Sequence, residues 1–318
     1  MKKSERGKTW DVVIVSRDVW SEVRRRRHFL AEEWSKERRV LFVEPPVSLP
    51  GLISGRPDAP MRDAETISFR PKPPRAVTQS IHVFTPVRPI PESIPGGHAV
   101  CMSLMAVQVR AAIRSLSLGS PVLWITPEYG VHLLHGVPHI FAVYDVTDDW
   151  TTASIPDKQR RRIEADDRRL LSLADMVFTV SPRLHEQKSA RRPDAVLMPN
   201  GVIPEMYDIP TPPEPPELSG VTRPIAGYTG TLHEDRIDVD LVLELSSRAK
   251  DGLSFVFVGP NLLGEKAAAA LASRRNIRLI SAQPFFRLPD FVAHFDTCMI
   301  PHVLTPFTHS LDPIKAYE

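Results

Sequence analysis

Short runs of β-branched and aliphatic residues alternate with longer charge-patterned segments along most of the chain, and that alternation predicts an α/β protein. In the first two hundred residues, strands are expected at DVVIVS (11–16), RVLFVEP (39–45), PVLWITPE (121–128), HIFAVYD (139–145), DMVFTVS (175–181) and AVLMPNG (195–201). Most are apolar at odd and even positions alike, as strands covered on both faces must be. Helices are expected over 21–36, 99–116, 157–173 and 182–191. Ser181 followed by Pro182 suits the last of these, because serine caps a helix start and proline fits its first position.

From residue 224 the same grammar resumes. PIAGYTG is followed by a helix over 237–249, LSFVFVGP by a helix around 265–273, NIRLIS by a short helix after Phe286, and HFDTCMIP closes the series. Parallel strands need such crossovers, so both halves read as doubly wound, Rossmann-type domains with ligand sites at the carboxyl ends of their strands.

Proline punctuates this pattern, at 32 of 318 residues. The stretch IPTPPEPPELSGVTRP (209–224) lacks apolar periodicity and denies the backbone donors that strands and helix interiors use. It is read as part of a linker over 204–223, between a first domain of residues 1–203 and a second of 224–318. A second proline-rich stretch, about 45–95, reads as an insertion carrying one or two strands, among them SIHVFTPV. The chain stops at PIKAYE, in what should be the opening turn of a helix, so the second domain is expected to be incomplete.

Composition narrows the class. With 42% hydrophobic and 25% charged residues, disordered, collagenous and coiled-coil chains are excluded. No apolar run approaches the roughly 18–20 residues that span a bilayer, and the basic start MKKSERGKTW leads into a strand rather than a signal core. Two distant cysteines, Cys101 and Cys298, form no disulfide framework, which fits a reducing, cytoplasmic compartment. Net charge is +2, but the first 200 residues are basic and the remainder acidic. The run Arg24–Arg27 lacks the interleaved aromatics and high net charge of a nucleic-acid surface. It reads instead as a patch for anionic lipid headgroups at the inner membrane face or for a phosphorylated acceptor.

Several chemistries drop out on motif grounds. His132, His135 and His139 have a spacing that invites zinc, but Gly136 and Pro138 break the helix that would align them, and no HExxH or paired cysteines accompany them. No metal or other cofactor is therefore expected. GxSxG, CxxC and GxxxxGK[ST] are missing, and SRDVWSE stands where a dinucleotide fold carries GxGxxG.

Three segments remain as candidates. YDVTDDW places Asp145, Asp148 and Asp149 after a strand, where they can orient sugar hydroxyls, act as a base or hold a cation, or else cap the turn. In GYTGTLHEDRID, Gly227 and Gly230 permit close backbone approach to a phosphate, with Arg236 as a cationic donor; a plain turn is the alternative. DPIKAYE sets Lys315 and Glu318 on one helical face, for phosphate and ribose or for a surface ion pair.

Taken in order, VYDVTDDW, LLSLADMVFTVS, LMPNGV, PIAGYTGTLHEDRID, FVFVGP, LPDFVAHFDTCMIP and DPIKAYE resemble the GT-B glycosyltransferases of the retaining, family-four type. Most similar are bacterial members of exopolysaccharide and teichuronic-acid-type surface synthesis. The resemblance implies two Rossmann-like domains, with a nucleotide diphosphate sugar donor on the second and a lipid-linked or polysaccharide acceptor on the first. Gly230 and Thr231 would lie beneath the donor diphosphate, Arg236 and Lys315 would bind phosphate, and Glu318 would hold ribose. Asp145, Asp148 and Asp149 would serve catalysis, with Trp20 and His28 on the acceptor side. The family departs from this chain at two positions: Ser310 replaces the first signature glutamate, and Tyr144 stands where relatives have histidine before Asp145. Retaining enzymes of this type are expected to need neither a side-chain nucleophile nor a metal. A nucleotide-sugar epimerase and a non-catalytic nucleotide-sugar-binding protein are the alternatives.

Overall fold

The computed structural model describes residues 10–20, 23–48, 72–92, 94–249 and 252–318. The chain divides into two compact units, Met1–Pro199 and Asn200–Glu318.

The first unit is built on an eight-stranded sheet. Its strands are β1 (Val12–Val15), β2 (Val40–Val43), β3 (Arg75–Ala76), β4 (Ile81–Phe84), β5 (Val122–Ile125), β6 (Phe141–Val146), β7 (Met176–Thr179) and β8 (Val196–Leu197), in the order β8-β7-β6-β5-β1-β2-β4-β3. All pairings are parallel except β3 with β4. The expected alternation of fully apolar strands has a direct structural cause, since each face of the sheet has its own core. Val13, Val15, Leu41, Leu123 and Ile125 pack against α2 (Gly97–Ser115) and α3 (Asp157–Leu173). Val12, Ile14, Phe42 and Val143 pack on the opposite side with Ala31 of α1 (Arg26–Ser35). Helix α4 (Pro182–Ser189) begins as expected, with the Ser181 hydroxyl accepting from the Leu184 amide at 3.1 Å.

The second unit has a four-stranded parallel sheet of β9 (Ile225–Thr229), β10 (Ser254–Val258), β11 (Ile277–Ile280) and β12 (Thr297–Cys298), in the order β11-β10-β9-β12. Helices α5 (Val239–Ala249), α6 (Glu265–Ala272), α7 (Leu288–Val292) and α8 (Pro306–His309) complete it. Together the units have the two Rossmann-like sheets of the GT-B fold class.

Three expectations need correction. Strand β4, expected inside an insertion, pairs with β2 in register Val40↔Ile81 and is part of the main sheet; residues 49–71 of that stretch lie outside the described residues. The proline-rich segment placed in a linker packs on the second unit. Leu218 is buried with Ile225, Val256 and Phe291, and Arg287 pairs with Glu217 at 2.9 Å. Proline removed the periodic pattern there without removing the apolar anchors, Leu218 and the partly buried Val221. Finally, α1 starts at Arg26 rather than Ser21, because the Arg25 amide donates to His28 Nδ1 at 3.1 Å and fixes the helix start.

Gly259, immediately after β10, has φ +150°, and a Cβ there would drive into the Gly230 carbonyl. Both the backbone conformation and the space demand glycine. Gly259→Ala should therefore destabilise the second unit by about 2–4 kcal/mol, read as a lower urea midpoint for that unit, whereas Gly252→Ala, which meets only ordinary van der Waals contact, should change it little.

Candidate functional site

In each sheet the strand order reverses at one point, and ligand crevices of α/β proteins open at the carboxyl ends there. In the first unit the reversal lies between β1 and β5. Ser16 and Arg17 follow β1, while Glu128 and Tyr129 follow β5. The Arg17 guanidinium pairs with Glu128 and lies 4.6 Å over the Trp150 ring, and the Tyr129 hydroxyl donates to the Ser16 carbonyl at 3.2 Å. Burial pulls the Arg17 pKa below its ordinary value, against the opposing pull of Asp148 and neighbouring tyrosines. Arg17 and Glu128 had no motif to mark them in the sequence; only their position just past two apolar strands could have found them.

The acidic cluster separates into three different environments. Asp145 is fully buried and accepts from Arg26 Nε at 3.0 Å and Trp124 Nε1 at 3.1 Å. Both bonds fall on Oδ2 and anchor α1 to the sheet, while Oδ1 is buried without a hydrogen-bond partner among the described residues, so a buried anchor stands where a carboxylate projecting toward a ligand was expected. Asp149 is also buried, accepting from the Thr151 amide and hydroxyl in the turn that follows, so it caps that turn. Asp148 alone of the three is half-exposed, with the Thr147 hydroxyl on its Oδ2 at 3.1 Å.

Tyr144, at the histidine position of the resemblance, is buried and donates to Asp167 at 2.8 Å, where Lys188 also binds at 2.9 Å. Burial and the Asp167 charge raise its pKa far above the usual phenol value, so it stays protonated. Trp20 and His28, expected on the acceptor side, belong to packing instead. Their rings meet at 5.3 Å and both touch Phe42. His28 is fully buried, with Nε2 on the Val19 carbonyl at 3.0 Å, and burial lowers its pKa to about 4. The basic run is likewise committed internally: Arg24 pairs with Glu32, Arg25 and Arg27 with Asp18, and Arg26 with Asp145. Arg24 and Arg25 keep about a quarter and a third of their side chains exposed, whereas Arg26 and Arg27 are nearly buried.

The second unit brings its expected residues together. Its reversal lies between β9 and β12, so Thr229, Gly230 and the segment after Cys298 share one edge. Gly230 has φ +128°, and a Cβ there would come within 3.1 Å of Lys315 Cε and 3.3 Å of Nζ. The Lys315 ammonium lies 5.0 Å over the Tyr228 ring, whose hydroxyl donates to the Thr231 carbonyl at 3.1 Å. Arg236 is half-buried over Phe307, 5.5 Å from the ring centre. Glu318 sits beside Lys315, Tyr207 and Thr229, and burial raises its pKa above the usual carboxylate value despite their opposing pull.

One member of this cluster had been missed. His302, just beyond β12, is half-buried, and its Nε2 has no hydrogen-bond partner among the described residues. Burial, then Lys315 and Arg236, lower its pKa to about 4. The sequence signal was its place after a strand, in HFDTCMIPH. Ser310, at the position of the family's first glutamate, is fully buried at the end of α8 and donates to the Phe307 carbonyl at 2.7 Å. Neutral His302, cationic Lys315 and Arg236 and the tight Gly230 turn thus make an edge suited to a phosphate-bearing ligand, with a carboxylate at Glu318 suited to hydroxyl groups.

Among solved structures, HepE from Anabaena in complex with UDP and glucose superposes with a TM-score of 0.58 at 12% identity, over 91% of this chain and 73% of that one. An E. coli trehalose-6-phosphate structure bound with UDP-2-fluoro glucose gives 0.60 at 10% identity, over 91% and 78%. The α,α-trehalose 6-phosphate synthase of Burkholderia multivorans gives 0.61 at 11%, over 94% and 79%. Likeness at these identities is likeness of fold. No protein-family model matches the chain, and no curated protein matches it in sequence.

Proposed function

We propose that this protein is a glycosyltransferase of GT-B type that moves a hexose from a nucleotide diphosphate sugar, with retention of anomeric configuration, to a lipid-linked or polysaccharide acceptor. The observation that carries this reading is the gathering of Gly230, Arg236, His302, Lys315 and Glu318 at one sheet edge, in a fold that two of the neighbours above use with bound UDP or a UDP-sugar. Those neighbours make UDP the first donor base to test.

In this reading Lys315 and Arg236 hold the diphosphate and stabilise the charge that develops as the sugar departs. Glu318 accepts from ribose hydroxyls. Retention without a side-chain nucleophile requires the departing phosphate to assist acceptor attack, so the donor-side cations carry most of the transition-state stabilisation. On the first unit, Asp148 is the one residue of the acidic cluster positioned to meet an acceptor. Binding without turnover is a second reading, favoured by the buried Ser310 where the family has a glutamate.

The test is isothermal titration with UDP, GDP and ADP, followed by transfer from the matching sugar. His302 supplies a specific signature. Its pKa of about 4 is set by burial and two cations, and an arriving diphosphate reverses that field and raises it. Because the bound pKa then exceeds the free one, binding takes up a proton, and affinity for UDP-glucose, whose diphosphate does not titrate in this range, should rise as pH falls from 7 toward 5. Titrations in buffers of different ionisation heat read this uptake directly. A histidine remote from the ligand gives no uptake, and His302→Gln should abolish it.

A further inference from the structure

Three elements of the first unit converge on a cluster that the proposed reaction does not use. His98 lies in the first turn of α2, His132 in the short 3-10 helix Glu128–Leu133, and Asp166 in α3. One donor atom from each lies within 4.8 Å of the other two. The histidine rings meet edge to face at 5.4 Å. Asp166 is buried, and the two histidines are half-buried.

The donor atoms are arranged oddly for a purely structural cluster. His98 Nε2 and His132 Nε2 are both buried and have no hydrogen-bond partner among the described residues. His132 Nε2 lies 3.3 Å from Asp166 Oδ1, yet the two are not aligned as donor and acceptor. Two ligands bound at about 2.0–2.2 Å to one tetrahedral ion stand roughly 3.3–3.6 Å apart, so this pair already has the separation of neighbouring ligands. Behind His98 stands a carboxylate, with Nδ1 at 3.3 Å from Glu92 Oε2. Nδ1 also lies 3.1 Å from Arg162 Nη1, which can only donate, so the Glu92 and Arg162 contacts favour opposite tautomers; with the proton on Nδ1, donated to Glu92, Nε2 keeps a lone pair for a metal ion. That is how a carboxylate orients a metal-binding imidazole.

We propose that His98, His132 and Asp166 form a binding site for a divalent transition metal, with Zn²⁺ the ion that two imidazoles and a carboxylate favour over Mg²⁺ or Ca²⁺. Closing it requires only a small movement of the His98 ring. The surrounding cations set its strength. Arg88 and Arg162 are held by Glu92 at 2.8 and 2.9 Å, with Arg162 also 3.1 Å from His98 Nδ1. Arg169 lies 3.6 Å from Asp166 Oδ1 and is nearly half-exposed. It competes for the carboxylate and is free to swing into solvent. The proposal stands apart from the glycosyltransferase reading, because none of these residues belongs to the donor site.

The experiment uses the full chain without a histidine tag, freed of metal by chelator and titrated with Co²⁺ and then Zn²⁺. The expected result is one saturable site with the visible absorption of four-coordinate Co²⁺, displaced by Zn²⁺ and not by Mg²⁺. His98→Gln and His132→Gln should remove the band, and Asp166→Asn should weaken binding at least tenfold. Arg169→Gln, a change on the exposed side that leaves the core intact, should tighten it several-fold by releasing Asp166. Absence of a saturable site, a band that survives both histidine changes in folded protein, or unchanged affinity in Arg169→Gln would each overturn the proposal.

Discussion

Arg26→Ala should lower the stability of the first unit by about 3–5 kcal/mol, because it strands the fully buried Asp145 carboxylate without its charge partner. For a unit of this size that corresponds to a drop in melting temperature of roughly 10 °C. The cost comes from the orphaned charge rather than from the value of the pair itself. A double change to leucine at both positions should recover part of the loss, since it removes both buried charges but leaves the Trp124 indole N–H without its acceptor. Asp145→Asn should fall between, keeping an acceptor for Trp124 Nε1 while giving up the ion pair. Urea unfolding of the first unit measures all three. The series also separates anchoring from catalysis: if Asp145→Asn kept full stability and lost sugar transfer, the anchor assignment would fail and the carboxylate would return to the reaction.

The second large effect is expected in binding. Lys315→Ala should weaken UDP affinity by roughly 10- to 100-fold, the value of one charge-assisted contact to phosphate of about 1.5–3 kcal/mol. Stability should barely move, because the ammonium lies over the Tyr228 ring at 5.0 Å and contributes little to the core. Gly230→Ala tests the same point by steric means, since the new methyl meets Lys315 Cε at 3.1 Å and the φ of +128° resists any side chain. Both variants should lose affinity with unchanged circular dichroism, and Lys315→Arg should restore part of it. Equal UDP affinity in wild type and Lys315→Ala would remove this edge as the diphosphate site.

These two positions also differ in how far the sequence revealed their surroundings. The fold was legible because most strands that lie inside a sheet are apolar on both faces, a pattern that survives without knowing any contact. The nearness of Gly230, Arg236 and Lys315 was legible in part from chain order, because Gly230 and Arg236 follow strands and Lys315 opens a helical turn. Asp145 was misread because its partner Arg26 is 119 residues away, and nothing local distinguishes a carboxylate aimed at solvent from one aimed at a helix. In Arg24–Arg27 only the Arg26 pairing is remote, while Asp18 and Glu32, within nine residues, supply the other three, which periodicity alone does not reveal. Leu218 shows the converse error, where proline density hid one buried anchor. His98, His132 and Asp166 could not be grouped from spacing, because they come from three separate elements.

The two cysteines differ in a way that gives the molecule a built-in chemical handle. Cys101 is buried in the first unit with its thiol on the Ile90 carbonyl, while Cys298 is exposed on β12, the edge strand beside the Gly230 turn. A thiol-directed fluorophore or spin label would consequently attach to one defined position, in the second unit, without any engineered cysteine. Desolvation and the nearby Glu318 charge raise the pKa of that thiol, so labelling will run slowly at neutral pH and faster in mild alkali. The attached probe would then sit within sensing distance of the carboxylate assigned to ribose.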